Sequence, residues 1–142
     1  MIEVFTTSIY LHTRGNTQLI DITEQVSDCI VKNNFKEGQL TVFSVGSTTG
    51  VSTVEFEPGL VQYDVCQMFE KISPYHEDYR HNETWNDDNG ASHLRSTLMK
   101  TSLVVPFNNQ KLFLGTWQQI VFIDFDTRER NRQIVIQIIG IK

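Results

Sequence analysis

The chain has 142 residues, of which 39% are hydrophobic and 20% charged, and its formal net charge at pH 7 is −5. This length supports one substantial core, and no linker rich in Pro, Gly or Ser divides it, so we expect a single domain over residues 1–142. The acidic balance argues against a broad nucleic-acid surface. Because the sequence has no secretory signal and no apolar run long enough to cross a bilayer, we expect a cytoplasmic protein with no membrane partner.

The order of predicted elements favours a mixed fold. Asp21 is a candidate helix N-cap with Glu24 as its capping-box partner, and Pro74 is expected to stop a later helix. Apolar spacing predicts strands over residues 3–11, 40–46, 50–56, 102–107, 111–115, 117–126 and 132–141, and helices over residues 21–33, 60–73 and 92–100. This irregular order of strands and about three helices predicts the α+β class rather than a doubly wound α/β sheet. Cys29 and Cys66 fall on helical apolar stripes and are expected to be free thiols.

The stretch YRHNETWNDDNGASHLR, residues 79–95, concentrates titratable side chains. Asn89 is a candidate N-cap, which places His93 in the first turns of a helix whose free N–H groups favour an anion. If the loop folds back, His81 approaches His93, and imidazole with carboxylate ligands suits zinc or another divalent metal. The alternative, favoured about two to one on composition, is a solvated acidic loop that carries surface histidines.

Arginines alternate in the segment DFDTRERNR. If this segment is extended, Arg128, Arg130 and Arg132 share one strand face, and the apolar residues of the following strand continue it. Such guanidinium groups suit a phosphate or carboxylate. The alternative, held equally, is a solvated turn whose arginines pair with Asp124, Asp126 and Glu129.

Two further segments offer candidate site residues. Trp117 begins a predicted strand, where a tryptophan is more often part of the core than a stacking platform, and Gln118 is available for hydrogen bonding on the opposite face. Glu55 lies near the end of another predicted strand and is a candidate general base or cation ligand, although a surface glutamate is the commoner explanation. The sequence contains no GxSxG, Walker, GxGxxG or HExxH motif, which removes the usual support for hydrolase, nucleotide-binding and zincin functions.

These segments together resemble the YjbQ family. The resemblance rests on YRH at 79–81, DDNGASHLR at 87–95, the run from TSLVVPF to GTWQQIVFIDFD at 101–126 and RERNR at 128–132. It extends over nearly the whole chain. Two positions depart from the family pattern. Many relatives have a histidine at the position of Ser47, and some have one at the position of Ala91. A metal site that uses those histidines would have fewer ligands in this chain.

The resemblance implies a mostly antiparallel, barrel-like sheet, a homotrimer and a site at the junction of protomers where histidines can hold a metal such as zinc or magnesium. It implies catalytic roles for His81, His93, Asp88 and Glu55 and metal ligation by His81 and His93, with Asp88 as a further ligand. It assigns substrate and phosphate binding to Asn89, Trp117, Gln118, Arg128 and Arg130.

Two hypotheses about function follow from this resemblance. The first is a metal-assisted enzyme that acts on a small phosphorylated metabolite, since some family members are associated with a weak thiamine-phosphate synthase activity. The second is a non-catalytic trimeric module that binds a metal or an anionic metabolite.

Overall fold

The protein, described here by a computed structural model of residues 1–142, contains eight strands in two antiparallel sheets. The larger sheet has the order β1-β8-β3-β5-β6, and the smaller sheet has the order β2-β7-β4. The strands are β1 Glu3–Thr13, β2 Gln18–Asp21, β3 Glu37–Ser44, β4 Thr49–Val54, β5 Ser102–Asn108, β6 Lys111–Leu112, β7 Gln119–Asp124 and β8 Arg130–Ile141.

Four helices connect or cover these strands. They are α1 Thr23–Lys32, α2 Val65–Ile72, α3 Arg80–Trp85 and α4 Gly90–Met99, and a π-helical turn over Leu60–Asp64 leads directly into α2. Just before α1, the Asp21 carboxylate accepts the Thr23 N–H at 2.9 Å in a local turn, and the N-cap residue of the helix is Ile22. None of the four has the length and apolarity needed to span a membrane.

Strand β7 lies at the centre of the fold because both of its faces are buried. Ile120 and Phe122 point into the main core, between the curled five-stranded sheet and α1. Val121 and Ile123 point the other way and pack against Phe69 of α2. Side chains alternate across a strand, so a strand buried on both faces needs a continuous apolar run, which the sequence IVFI supplies.

The α+β class and the half-barrel sheet are confirmed, while several details differ from the sequence prediction. Four helices replace about three, because the six-residue α3 lies in a polar stretch without an apolar stripe. The short strand β2 was also missed. Ile22 rather than Asp21 is the N-cap residue of α1, and Glu24 makes no side-chain hydrogen bond, so the predicted capping box does not form. Trp117 precedes β7 and is exposed rather than packed in the core.

One surface of the larger sheet carries no charged side chain. We call it the outer face, and it comprises Val4, Thr6, Ser8, Tyr10, Gln39, Thr41, Phe43, Ser102, Val104, Pro106, Gln133, Val135, Gln137 and Ile139. Phe43 and Val104 are about half exposed there, at 43% and 52%. Groups that carry a charge begin at the strand ends, at Glu37, Lys111 and His12. The opposite face of the same sheet forms the core.

Candidate functional site

Two imidazole rings face each other where α3 meets α4. His81 lies on α3 and His93 lies in the first turns of α4, and the two ring centroids are 4.4 Å apart with an angle of 57° between the ring planes. Gly90 allows this close approach of the helices, because a Cβ at that position would lie 2.5 Å from the Cβ of Tyr79. The Gly90 N–H donates to Asn82 Oδ1 at 2.9 Å and fastens the start of α4 to α3.

The histidine pair is held by Asp87 and Asn89. His81 Nε2 lies 3.6 Å from Asp87 Oδ2 and 3.1 Å from Asn89 Oδ1. The Asn89 side-chain amide forms no capping hydrogen bond to α4 but lies between the two groups, with one end next to His81 and Asp87 and the other 3.4 Å from Asp126 Oδ1. Asn89 therefore connects the histidines to the carboxylates that follow β7.

Asp126 is a nearly buried carboxylate that gathers donors from several elements. It accepts the Thr127 N–H at 2.8 Å, Arg130 Nε at 3.0 Å and Thr48 Oγ1 at 3.3 Å. Arg132 Nη2 lies 3.4 Å from the same carboxylate. The two terminal nitrogens of Arg130 make no hydrogen bond within the chain, and its side chain is 40% exposed. Arg130 can therefore bind an incoming anion while Asp126 holds its Nε.

A second buried ion pair lies behind this cluster. Arg132 donates Nε and Nη2 to the fully buried Asp124 carboxylate, at 2.7 and 3.0 Å. Thr13 Oγ1 donates at 2.5 Å to Asp124 Oδ2, the oxygen that also accepts Arg132 Nε, and Thr48 Oγ1 accepts from Arg132 Nη2 at 2.8 Å. Because every partner of this pair is fixed by a strand or its adjacent turn, Arg132 contributes rigid positive charge beneath the site.

The environment shifts the pKa values of two of these groups. Burial, followed by the neighbouring His81, lowers the pKa of His93 below its ordinary value, although Asp126, Asp87 and the Ser47 backbone act in the opposite direction. Burial alone would raise the pKa of Asp126, but the Thr127 N–H and Arg130 outweigh it and lower that pKa. At neutral pH the site thus combines a neutral imidazole with an ionised carboxylate.

We expect the His93 imidazole to titrate below the usual histidine range when it is followed by NMR. Replacing His81 with glutamine removes a positive neighbour and should raise the pKa of His93 without restoring its ordinary value, because burial is the larger cause. The exposed His12, which contacts Asn131 and Glu129 rather than the cluster, provides a control signal from the same spectra. An unchanged His93 titration in the variant would contradict the electrostatic contact between the two rings.

Arg95 fixes the position of α4 from within the fold. Its side chain is 1% exposed, and its guanidinium lies 3.8 Å from the centroid of the Tyr75 ring. It donates to Ser73 O at 2.8 Å, to Thr17 Oγ1 at 2.8 Å and to Glu70 Oε2 at 2.7 Å. These contacts join α4 to α2 and to the turn before β2, so the placement of His93 depends on Arg95.

Asp88 and Arg128, both predicted site residues, lie together at the rim. Asp88 Oδ1 accepts from Thr127 Oγ1 at 2.6 Å and lies 4.0 Å from Arg128 Nη2. Asp87, rather than Asp88, is the carboxylate beside His81. Arg130 and Arg132 share a strand face as predicted, and they also form the predicted pairs with Asp124 and Asp126.

Glu55, Trp117 and Gln118 lie at the other end of β7. The register pairs Val54 with Gln119, whereas Thr49 pairs with Asp124, so the two ends of β7 are five residue steps apart, roughly 17 Å. Gln118 donates its Nε2 to Thr53 Oγ1 at 2.9 Å. The Trp117 side chain is exposed, and Glu55 lies just beyond β4. Within one chain these three residues do not join the histidine cluster.

The chain by itself does not assemble a three-residue metal site. No group of three or more His, Cys, Asp or Glu side chains is arranged to hold a metal ion. Ala91 is fully buried and contributes no ligand, and Ser47 lies beside His93 through its backbone. The donor set therefore fits a metal only in part, with His81 and His93 as two ligands.

Sequence reasoning did not assign Asp124, Asp126 or Asp87 to the site. The signal was present, because two aspartates at alternate positions interrupt the apolar run IVFIDFD and therefore share one strand face. Charged residues in a buried strand are costly unless they are paired, so such a pattern indicates buried partners.

The fold and this cluster define a class: a single-domain α+β protein with a half-barrel sheet and a histidine, aspartate and arginine site at one end of its central strand. The family model for the UPF0047 protein YjbQ-like family matches residues 7–141, and the chain belongs to this family. A UPF0047 protein from Methanothermobacter thermautotrophicus is 38% identical, over 97% of this chain and 94% of the relative. A second, from Archaeoglobus fulgidus, is also 38% identical, over 88% of this chain and 94% of the relative.

Solved structures show the same fold. A YbjQ-like protein of unknown function from Sulfolobus solfataricus superposes with a TM-score of 0.92 at 31% identity, over 99% of both chains. A hypothetical protein from Aeropyrum pernix gives a TM-score of 0.88 at 29% identity, over 96% of this chain and 98% of the other.

Proposed function

We propose that this protein is an enzyme that acts on a small phosphorylated metabolite at the cluster around His81 and His93. The observation that carries the proposal is the convergence of the neutral His93 imidazole, its neighbour His81 and a partly free arginine around one nearly buried carboxylate, Asp126. A lowered histidine pKa next to specific charge partners is a recurrent property of catalytic groups.

His93 is the proton-transfer group in this proposal. Its lowered pKa keeps the ring neutral at pH 7, so one ring nitrogen can accept a proton. His81 stacks against it, and Asp87, 3.6 Å from His81 Nε2, stabilises positive charge on the pair. The helix dipole of α4 further favours a negatively charged group at this end.

Arg130 and Arg132 differ in their roles towards a phosphate. The terminal nitrogens of Arg130 are free and partly exposed, which suits bidentate phosphate binding. Arg132 is nearly buried and already paired with Asp124, so it contributes fixed positive charge rather than a direct contact. Arg128 lies with Asp88 on the exposed side of the cluster, where its guanidinium would contact the substrate as it enters.

As an alternative to proton transfer by His93, we propose that His81 and His93 hold a divalent cation, in which case the lone pair of His93 binds the metal and accepts no proton; their nitrogen donors favour zinc over magnesium. Water or the substrate phosphate would complete the ligand set, because the chain adds no third side chain. When bound, the cation would supply positive charge next to the phosphate.

Thiamine-phosphate synthesis is the specific reaction that we propose. In this reaction the C–O bond of the pyrimidine diphosphate breaks, pyrophosphate leaves with the electron pair, and the thiazole nitrogen forms the new C–N bond. Arg130, with Arg132 behind it, would stabilise the departing pyrophosphate.

Metal analysis and substrate assays with the wild-type protein test this proposal. We expect near-stoichiometric zinc on purification or after zinc is added, and product formation from the pyrimidine diphosphate and thiazole phosphate in the presence of that metal. A wider panel of phosphate esters identifies another substrate of the same class. A protein that binds no divalent metal would contradict the metal assignment, and absence of turnover across the panel would contradict the enzymatic function.

We also propose that the protein is a homotrimer assembled through the outer face. An uncharged surface with half-exposed Phe43 and Val104 is unusual in a chain that is 20% charged, and it suits contact with further copies of the same chain. Tyr10 and Gln133 lie at the end of the outer face next to Arg132. A neighbouring protomer on this face would therefore lie close to the proposed site.

A single charge on the outer face should prevent assembly. We expect Val104→Glu to be monomeric by light scattering at concentrations where the wild type is trimeric, because burying an unpaired carboxylate in an interface is strongly unfavourable. Gln25→Glu, which adds a carboxylate on the exposed surface of α1, is the matched control and should remain trimeric. A trimeric Val104→Glu protein, or a monomeric wild type, would contradict this interface.

A trimeric module that binds anions without turnover is the second candidate. The observation that favours it is that Asp124 and Asp126 already neutralise much of the charge of Arg130 and Arg132. Saturable phosphate-ester binding with no product across the substrate panel would identify this function.

A further inference from the structure

A separate cavity lies between the turn that precedes β2 and the π-helical turn that precedes α2. Its volume is about 510 Å³, which is within the range of small-molecule sites. None of the histidine-cluster residues lines it. Its chemically distinctive lining residues are Arg14, Asn16, Gln18, Phe56, Gln62 and Cys66.

The Arg14 guanidinium is an unpaired cation at this cavity. It makes no ion pair or side-chain hydrogen bond within the chain, although its backbone N–H donates to Gln18 Oε1 at 2.6 Å. The amide groups of Asn16 and Gln62 also have no side-chain partner within the chain. These groups are available to an anion that also accepts or donates hydrogen bonds.

The cavity also has an apolar side. Phe56 is 38% exposed and can contact a flat ring, and Val61 and Leu19 extend the apolar wall. The Cys66 thiol donates to Thr17 O at 3.8 Å, and burial, the largest cause, raises its pKa, so the thiol adds no negative charge at neutral pH. A guanidinium beside an aromatic surface suits an anionic group attached to a ring.

Part of the backbone that lines the cavity has an energetically unfavourable conformation. Asn16 and Thr17 both have positive φ, 54° and 62°, and this conformation is unfavourable for the β-branched Thr17. Hydrogen bonds hold Thr17 in this conformation, because its Oγ1 accepts from Arg95 and contacts Tyr75 OH. The opposite wall is the π-helical turn Leu60–Asp64, and such turns are frequent at functional sites. The cavity is therefore bordered on one side by the strained backbone of Asn16 and Thr17 and on the other by the π-helical turn.

We infer that this cavity is a second ligand site, and that it takes a small organic anion in which a carboxylate or phosphate is attached to a flat ring. Arg14 binds the anionic group, Phe56 contacts the ring, and Asn16 and Gln62 bind its polar substituents. The cavity shares no lining residue with the histidine cluster, but the Asn16 N–H donates to Asp126 O at 2.7 Å, so the His93→Gln variant and the amides of Gln62 and Cys66 distinguish binding here from binding at the cluster.

Phenyl phosphate, benzoate and inorganic phosphate are the probes for this site. Titration of the wild-type protein with phenyl phosphate, followed by NMR, should shift the backbone amides of Gly15–Leu19, with a Kd of about 1 mM or tighter for a ligand of this size. The relative affinities of phenyl phosphate and benzoate identify the preferred anionic group. Inorganic phosphate should bind at least about tenfold more weakly, because it lacks the ring.

Variants separate this site from the histidine cluster. Arg14→Gln should weaken phenyl phosphate binding about tenfold, through the lost charge-assisted hydrogen bonds. Lys111→Gln, which removes one positive charge elsewhere, and His93→Gln should leave the shifts of Gly15–Leu19 and their affinity unchanged. Absence of these shifts in the wild type, an unchanged affinity in Arg14→Gln, or inorganic phosphate binding as tightly as phenyl phosphate would overturn the inference.

Discussion

Replacing His93 with glutamine is expected to lower turnover of the phosphorylated substrate by about 10²- to 10⁴-fold, the usual contribution of a positioned proton-transfer group. Glutamine keeps a polar side chain of similar length but cannot accept a proton at neutral pH. If His81 and His93 hold zinc, the metal content of the purified variant should fall as well. Product formation and elemental analysis of identically prepared proteins measure the two effects.

The control for this experiment is His12→Gln. His12 is exposed and contacts Asn131 and Glu129 rather than the cluster, so its replacement should leave turnover and metal content unchanged. Circular dichroism verifies that each variant is folded. Equal activity of folded His93→Gln and wild-type protein would refute a catalytic role for this histidine and would favour the non-catalytic module.

Replacing Arg95 with methionine is expected to lower the free energy of unfolding by about 2–4 kcal/mol, mainly because buried acceptors lose their donor; the Glu70 carboxylate is 41% exposed and can be solvated instead. Methionine has a similar length but leaves Ser73 O and Thr17 Oγ1 without their donor and Glu70 without its counter-ion. The stacking of the guanidinium on Tyr75 is lost as well. Urea unfolding, followed by fluorescence or circular dichroism, measures the change.

Arg128→Met is the matched substitution at the surface. Arg128 is 58% exposed, and its only ion pair, with Asp88, spans 4.0 Å, so its loss should change the free energy of unfolding by less than about 1 kcal/mol. Similar destabilisation by the two substitutions would show that Arg95 does not hold α4 in place. A variant of Arg95 too unstable to purify can be compared through its yield of soluble protein, for which Arg128→Met sets the reference.

The sequence predicted the main elements because their apolar patterns follow backbone periodicity. The residues of β8 alternate from Ile134 to Ile138, and every second one is buried. The helix α1 carries Val26 and Ile30 on its buried face. By contrast, α3 buries no residue fully and has no apolar stripe, so its formation depends on contacts that only the folded chain provides, such as the Gly90 bond to Asn82.

The candidate site was predicted in part for a related reason. His81, Asn89 and His93 lie close in sequence, and the first turns of α4 bring them together. Asp126 and its partner Arg130 join them through the contact between Asn89 and Asp126, which are 37 positions apart, and local patterns do not encode such a contact. Trp117 and Gln118 lie at the far end of β7, because the direction of that strand separates them from Asp124.

The place of β8 in its sheet determines when the sheet can form. β8 is the last strand in chain order, but it lies between β1 and β3. Its residue Ile138, for example, pairs with Phe5 of β1 on one side and with Leu40 of β3 on the other. During synthesis, β1 and β3 leave the ribosome long before the strand that joins them, so their apolar sides remain exposed to solvent or chaperones. The larger sheet, and with it the positions of Arg130 and Arg132, therefore forms only after β8 has been made, and a nascent chain halted before β8 should be recognised as unfolded.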